Sequence, residues 1–265
     1  MPSRRDPLPR FVEPQLSLLV KAPPAGSDWV HELKYDGYRI HARIERGKTR
    51  LLTRTGLDWT ERYDSTAKAL MALAAEAVYL DGELYALRAD GTTKFAELQA
   101  ATDSRRTTSL VYFVFDFLHV GGENLTARSL LERKQRLKEL LDHAPLSIRY
   151  SDHHIGDGQR FLDAACAAKA EGIVSKRIDA PYVAVTTTWN RIRVAKQRLA
   201  RNSDETRACA LNPRRHILTG FNIPLRLGHR HDVLGSNIAD LDARCRAKPA
   251  SSYRWLRSEV RSVLD

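Results

Sequence analysis

The rhythm of apolar and polar positions changes several times along the chain, and each rhythm predicts an element. Before about Asp28, prolines at 7, 9, 14, 23 and 24 interrupt any period. This predicts an extended lead-in with one short helical or irregular piece around Gln15–Val20. Trp29–Leu33 alternates as a half-buried strand does. Tyr38–Ile44 and Arg50–Thr53 read as two strands joined through Glu45-Arg46-Gly47-Lys48, a hairpin with glycine in its turn. Thr66–Ala77 carries Ala, Leu and Met at helical spacing. Val78–Leu80 and Leu84–Leu87 read as strands on either side of Asp81-Gly82-Glu83. Leu110–Leu118 is aromatic and β-branched, the strongest strand in the chain, and Phe113, Phe115 and Phe117 alternate along it. Thr126–His143 is an amphipathic helix with leucines at 130, 131, 137, 140 and 141. Phe161–Ala170 predicts a second helix and Gly172–Ser175 a short strand. After Val194 no period returns until Tyr253–Leu264, which reads as a terminal helix.

Interleaved strands and helices with several hairpin-like pairs give an α+β fold of mixed or antiparallel sheets flanked by helices, not a doubly wound parallel one. Two units are expected, residues 1–195 and an irregular basic segment, 196–265. The length of 265 residues is ample for a buried core. No apolar run reaches the roughly 18 residues of a membrane helix, and no signal-peptide pattern follows the polar, Pro-rich start. Three odd, widely spaced cysteines (Cys166, Cys209, Cys245) argue against a disulfide framework or zinc cage and suit a reducing cytoplasm, with free thiols expected at all three.

The net charge of +11 is unevenly distributed: residues 1–189 hold 27 Lys+Arg against 25 Asp+Glu, whereas residues 190–265 hold 16 against 7. A segment of that kind is either a solvated tail or a surface for polyanions, nucleic acid above all. Phosphate loops are absent. Gly47-Lys48-Thr49 would need a further glycine at position 42, which is Ala42, so a hairpin turn explains Gly47. His153-His154 lack partners at metal-ligand spacing and read as surface histidines.

Glu32-Leu33-Lys34-Tyr35-Asp36-Gly37-Tyr38-Arg39 is harder to dismiss. A lysine at a strand end, beside a glycine that allows a ligand close, can act as a nucleophile. It must first lose a proton against a reference pKa near 10.4, which neighbouring cations, a metal or desolvation would ease. Asp81-Gly82-Glu83 places two carboxylates beside a glycine. Glu171 and Lys176 flank a strand, and their odd separation predicts opposite faces unless a bulge or twist intervenes.

Taken together, these pieces resemble the nucleotidyltransferase (adenylation) domain of ATP-dependent DNA ligases, most of all the ligase module of bacterial nonhomologous end-joining enzymes. The likeness covers about residues 8–195, in five ordered elements: Trp29 to Arg39, Arg54-Thr55-Gly56 with Trp59, Thr60 and Tyr63 behind it, Asp81-Gly82-Glu83, Phe115-Asp116-Phe117-Leu118, and Glu171 to Lys176. The resemblance implies an ATP-grasp-like ligase core in which Lys34 attacks the α-phosphate of ATP, forms a lysyl–AMP and releases pyrophosphate. It implies that Arg39 and Arg54 hold ribose or phosphate oxygens, Glu83 the ribose hydroxyl, and Lys176 a phosphate. Phe115 would stack on adenine with Glu32 beside the base, and Glu171 with Glu83 would place Mg²⁺ or Mn²⁺. AMP would pass to a DNA 5′-phosphate and a 3′-hydroxyl would displace it. The implied setting is double-strand break repair in the bacterial cytoplasm, at the nucleoid, with DNA ends and possible end-binding repair proteins as partners and no membrane.

Two departures stand out. The family's Trp-x-Lys-x-Lys element is here Trp189-Asn190-Arg191-Ile192-Arg193, with arginine forks at both phosphate-contacting positions. The oligonucleotide-binding barrel that follows in the family has no counterpart in the pattern of 196–265. They motivate a competing expectation, a truncated, catalytically weak or inactive ligase-derived nucleic-acid-binding protein. A further alternative within the same chemistry is an RNA ligase or capping nucleotidyltransferase.

Overall fold

Arg46 and Gly47 both adopt positive φ (49° and 70°), the geometry that lets a two-residue turn join twisted antiparallel strands. In the computed structural model this turn joins β3 (Tyr38–Glu45) to β4 (Lys48–Thr53). The model describes residues 6–73, 75–87, 95–168, 170–184 and 189–193. The basic segment 196–265, with its expected terminal helix, Cys209 and Cys245, lies outside them. Cys166, half-buried in α4, forms no disulfide among the described residues.

Two sheets carry the described chain. One adds β5 (Val78–Ala86), β6 (Leu110–Val120), β7 (Glu123–Asn124) and β8 (Ile148–Tyr150) to the hairpin, in the order β4-β3-β5-β6-β7, with β8 parallel to β6. The other is ordered β1 (Leu18–Leu19), β11 (Trp189–Arg193), β10 (Gly172–Arg177), β2 (Trp29–Leu33), β9 (His153–Ile155). All its pairs are antiparallel except β1 with β11. Helices α1 (Asp64–Leu70), α2 (Phe95–Asp103) and α3 (Leu130–Leu140) pack on the first sheet and α4 (Gly158–Ala167) on the second. Ser129 caps α3 by accepting from the Glu132 N–H at 3.3 Å, and Asp157 caps α4 by accepting from that of Arg160 at 3.0 Å. No described helix is long and apolar enough to cross a membrane.

Several expectations are corrected. The Gln15–Val20 piece is extended: Leu18 and Leu19 pair with Asn190 and Arg191 of β11. The helices over Thr66–Ala77, Thr126–His143 and Phe161–Ala170 are each shorter than, or shifted from, their periodic stretch, because the apolar period continues into non-helical core residues such as Leu73 and Leu141. The two strands around Asp81-Gly82-Glu83 are one strand, β5. His153 and His154 are half-buried in β9: His153 Nδ1 lies 2.8 Å from the Tyr150 hydroxyl, and His154 stacks on Phe161.

The alternating phenylalanines do not share a face. Gly82 pairs with Val114 and Asp81 with Asp116, so Phe115 is an extra residue; a second shift leaves Leu118 extra between Phe117 and His119. At a bulge two consecutive residues oppose one and the faces swap. Phe117 therefore joins the large core with Leu80 and Tyr112, while Phe115 and Leu118 join Tyr79, Tyr182 and Trp189 between the sheets.

Candidate active site

Lys34 stands one residue beyond β2, where its N–H donates to the Gly172 carbonyl at 2.9 Å and prolongs the ladder. Its ammonium donates to the Glu171 carboxylate and, at 3.3 Å, to the Tyr35 carbonyl. Lysine and glutamate side chains are about one-fifth exposed, open enough to meet a ligand. Three residues on, a Cβ at Gly37 would stand 2.3 Å from the Leu84 carbonyl oxygen, so only glycine fits. That closeness lets the Gly37 N–H donate to Glu83 Oε1 at 3.0 Å. Burial pushes the Glu83 carboxyl up to about 7, against the partly opposing pull of Lys34 and the Gly37 N–H.

Lys34, Gly37 and Glu83 border a cleft of about 580 Å³. Lys34, Arg39, Arg54, Glu83, Arg191 and Arg193 all line it, so the structure brings together six of the residues singled out in the sequence. Arg54 is exposed in the turn after β4. Strand alternation puts Arg191 and Arg193 on the face of β11 that carries Trp189. Arg191 Nη1 donates to the Ser17 carbonyl at 2.6 Å, and Arg193 Nε lies 3.9 Å from Glu171 Oε1. Five cations against one lining carboxylate make the cleft a trap for a polyanion.

Arg39 is the most constrained of the five. Nε and Nη2 clasp Asp81 at 3.0 and 2.6 Å, while Nη1 donates to the Gln15 carbonyl at 2.6 Å. Its guanidinium lies 5.4 Å from the Phe115 ring and 5.6 Å from that of Trp189. Asp81 also accepts from the Tyr182 hydroxyl at 2.8 Å. Burial alone would push the Asp81 carboxyl up; Arg39 and His41 overcome this and hold it far below the usual carboxylate range.

The remaining three lie deeper. Glu32 Oε1 accepts from Lys134 Nζ at 2.8 Å and Oε2 from Lys176 Nζ at 2.9 Å, all three side chains being buried. Burial pushes the Glu32 carboxyl up and the two ammonium groups more than reverse it. Lys176 sits 4.5 Å from the Phe115 ring and 4.2 Å from the Trp189 ring. Lys176 thus pairs with Glu32 and faces two aromatic rings, and with Glu32 and Phe115 it stands behind the residues that line the cleft. The expected opposition of Glu171 and Lys176 fails. Glu171 precedes β10, so alternation does not govern it; it meets Lys34, just beyond β2, while Lys176 meets Glu32 two residues earlier on that strand.

Residues 17–193 match the family model described as the ATP dependent DNA ligase domain. The chain belongs to this family. It is 41% identical over 181 residues to the multifunctional non-homologous end joining protein LigD of Pseudomonas aeruginosa, covering 67% of this chain and 21% of that protein. The LigD of Mycolicibacterium smegmatis is 30% identical over 154 residues, 58% of this chain and 20% of that protein. The chain thus spans about a fifth of the length of these curated relatives. Among solved structures, the ligase domain of M. tuberculosis LigD superposes with a TM-score of 0.59 at 27% identity, over 68% of this chain and 59% of that one. A mycobacterial DNA ligase D complexed with ATP and MES gives 0.58 at 26%, over 67% and 60%.

Within this ligase domain no described group of three or more His, Cys, Asp or Glu could by itself hold a metal ion. Glu83 and Glu171 nevertheless suit Mg²⁺, which commonly takes one or two carboxylates and completes its shell with phosphate oxygens and water. They flank Lys34 closely enough that the charge of Glu171 raises the Glu83 carboxyl. Sequence reasoning singled out Asp81 within its motif but not as the partner of Arg39, and it missed Tyr182 and Gln15 around Arg39 and Lys134 on Glu32. For Lys134 a signal exists, since Leu130, Lys134 and Leu137 share one face of α3. For Gln15 and Tyr182 there is none.

Proposed function

We propose that this chain is an adenylating ligase in which Lys34 takes AMP from ATP and passes it to the 5′-phosphate of a DNA end for joining, in the repair of double-strand breaks. What supports this reading above all is a single juxtaposition: a half-buried lysine amine, paired to a carboxylate, on the wall of a cleft carrying four arginines. Lys34 Nζ, once its proton has left, attacks the α-phosphorus; an N–P bond forms, the bond to the bridging oxygen breaks, and pyrophosphate departs. Glu171, hydrogen-bonded to the ammonium, is positioned to receive that proton. Arg54, Arg191 and Arg193 bind the phosphates, with Arg39 held by Asp81 as a fixed member of the same wall. Phosphoryl transfer needs chiefly such positioning and charge neutralisation. Glu83 accepts from the ribose, and Phe115 with Glu32 forms the base end. Glu83 and Glu171 would hold Mg²⁺ or Mn²⁺, which when bound supplies positive charge against the triphosphate. Residues 1–195 form the adenylation unit, and the basic segment 196–265 meets the DNA backbone.

The test is incubation with α-labelled ATP and Mg²⁺ followed by a denaturing gel. Covalent label on the wild type and none on Lys34→Ala is the expected result. No label on a folded wild type would overturn the reading and leave a ligase-derived nucleic-acid-binding protein.

A further inference from the structure

Helix α3 presents Leu130 and Leu137 to the core, and between them two fully buried cations, Arg133 and Lys134. Arg133 is accounted for by a bidentate pair with Asp116 at 2.7 and 3.0 Å. Lys134 has no part in the chemistry described above and lies outside every ligase motif. Its ammonium has three N–H donors and three acceptors in reach: Glu32 Oε1 at 2.8 Å, the Ser151 carbonyl at 3.1 Å and the Phe115 carbonyl at 3.4 Å. The Tyr150 ring lies 4.7 Å away. An apolar side chain would fill such a position without the desolvation cost of a buried charge, so the lysine calls for a reason.

The two oxygens of Glu32 are not equivalent. Among the described residues, Oε2 is bound by Lys176 and approached by the Ser151 hydroxyl at 3.5 Å, whereas Oε1 is bound only by Lys134. A carboxylate oxygen has two lone pairs; Oε1 therefore keeps one, and Lys134 decides where it points. We propose that Lys134 is a positioning residue for the nucleotide base: it fixes Glu32 Oε1 and the Phe115 backbone so that the free lone pair accepts from the exocyclic amino group of adenine. The inference rests on the placement of the base at Glu32 and Phe115 proposed above.

Calorimetric titration of the full chain with ATP and with purine riboside triphosphate, which lacks that amino group, tests it. The wild type is expected to prefer ATP by about tenfold or more, the effect of one buried hydrogen bond to a charged group. Lys134→Met is expected to cut the preference below about threefold, as should Glu32→Gln, with no further loss in the double variant. A role confined to packing would weaken both ligands alike and leave the ratio intact. Lys134→Gln retains donors for the two carbonyls and repeats the test should the Met variant fail to fold. A wild type without preference, or a preference surviving in the variants, would overturn the proposal, as would the loss of cooperative melting in both. Run without divalent metal, so that no AMP is transferred, the titration reads binding alone and stands apart from whether Lys34 becomes labelled when Mg²⁺ is present.

Discussion

The open end of the cleft and its floor use the same residue types in opposite ways. At the open end, Arg54 and Arg193 are exposed, and Arg193 approaches Glu171 only to 3.9 Å. On the floor, Arg133, Lys134, Lys176, Glu32, Asp81 and Asp116 are buried, and each is bound by an opposite charge at 3.0 Å or less. Exposed cations retain hydration and mobility and can shift to meet phosphate; buried pairs are worth keeping only when every partner is present. The open end is built to react and the floor to hold still.

The sharpest way to break this contrast is to strip one partner from the floor. Asp116→Ala strands the Arg133 guanidinium, which is expected to lower unfolding stability by about 3–5 kcal/mol in a urea titration. A loss under ~1 kcal/mol would mean the floor is no more committed than the rim.

An intermediate effect is expected at Glu83, which borders both regions. Its carboxyl stands at about 7 against an ordinary 4.5, so the folded state binds the proton more tightly than the unfolded. Stability from this group is full below about pH 4.5 and is lost as pH rises through about 7. Adenylation, which uses the ionised form, should rise through the same interval. Glu83→Gln is expected to flatten both limbs, read as melting temperature and as label incorporation from pH 5 to 9. An unchanged wild-type profile in that variant would remove Glu83 from the titration.

The smallest effect belongs to a pair far from the floor. Lys68 and Asp64 meet at 2.7 Å on α1 with side chains 73% and 61% exposed, and Lys68→Ala should change stability by no more than ~0.5 kcal/mol. A larger change would blur the distinction between exposed and buried pairs.

Much of this division was legible in the sequence, though not all for the same reason. The β3–β4 hairpin announced itself through alternation and a glycine turn, and the motif residues around Lys34 converge because β2 and β10 are neighbours. Strand β11 escaped notice because Trp189-Asn190-Arg191-Ile192-Arg193 reads as polar; its buried residues are Trp189 and Ile192 alone. The floor was least visible. Lys134 shares the face of α3 that carries Leu130 and Leu137, but nothing local reveals that the counter-ions of Arg133 and Lys134 lie on β6 and β2. Strict alternation also placed Phe115 and Phe117 on one face, which the bulge forbids.

That bulge has a consequence for how the strand could change. A regular strand delivers one side chain per rung to a given face, so a ring and an anion would have to occupy successive levels. At Phe115-Asp116 both arrive at the level of Asp81, an aromatic surface and a charge sharing one address. Excising residue 115 would erase the ring while leaving Asp116 opposite Asp81, whereas excising a neighbour such as Tyr112 would turn the strand inside out. The phenylalanine thus occupies a place in the packing but none in the register, and its ring could be changed in size without moving Asp116 from its place opposite Asp81.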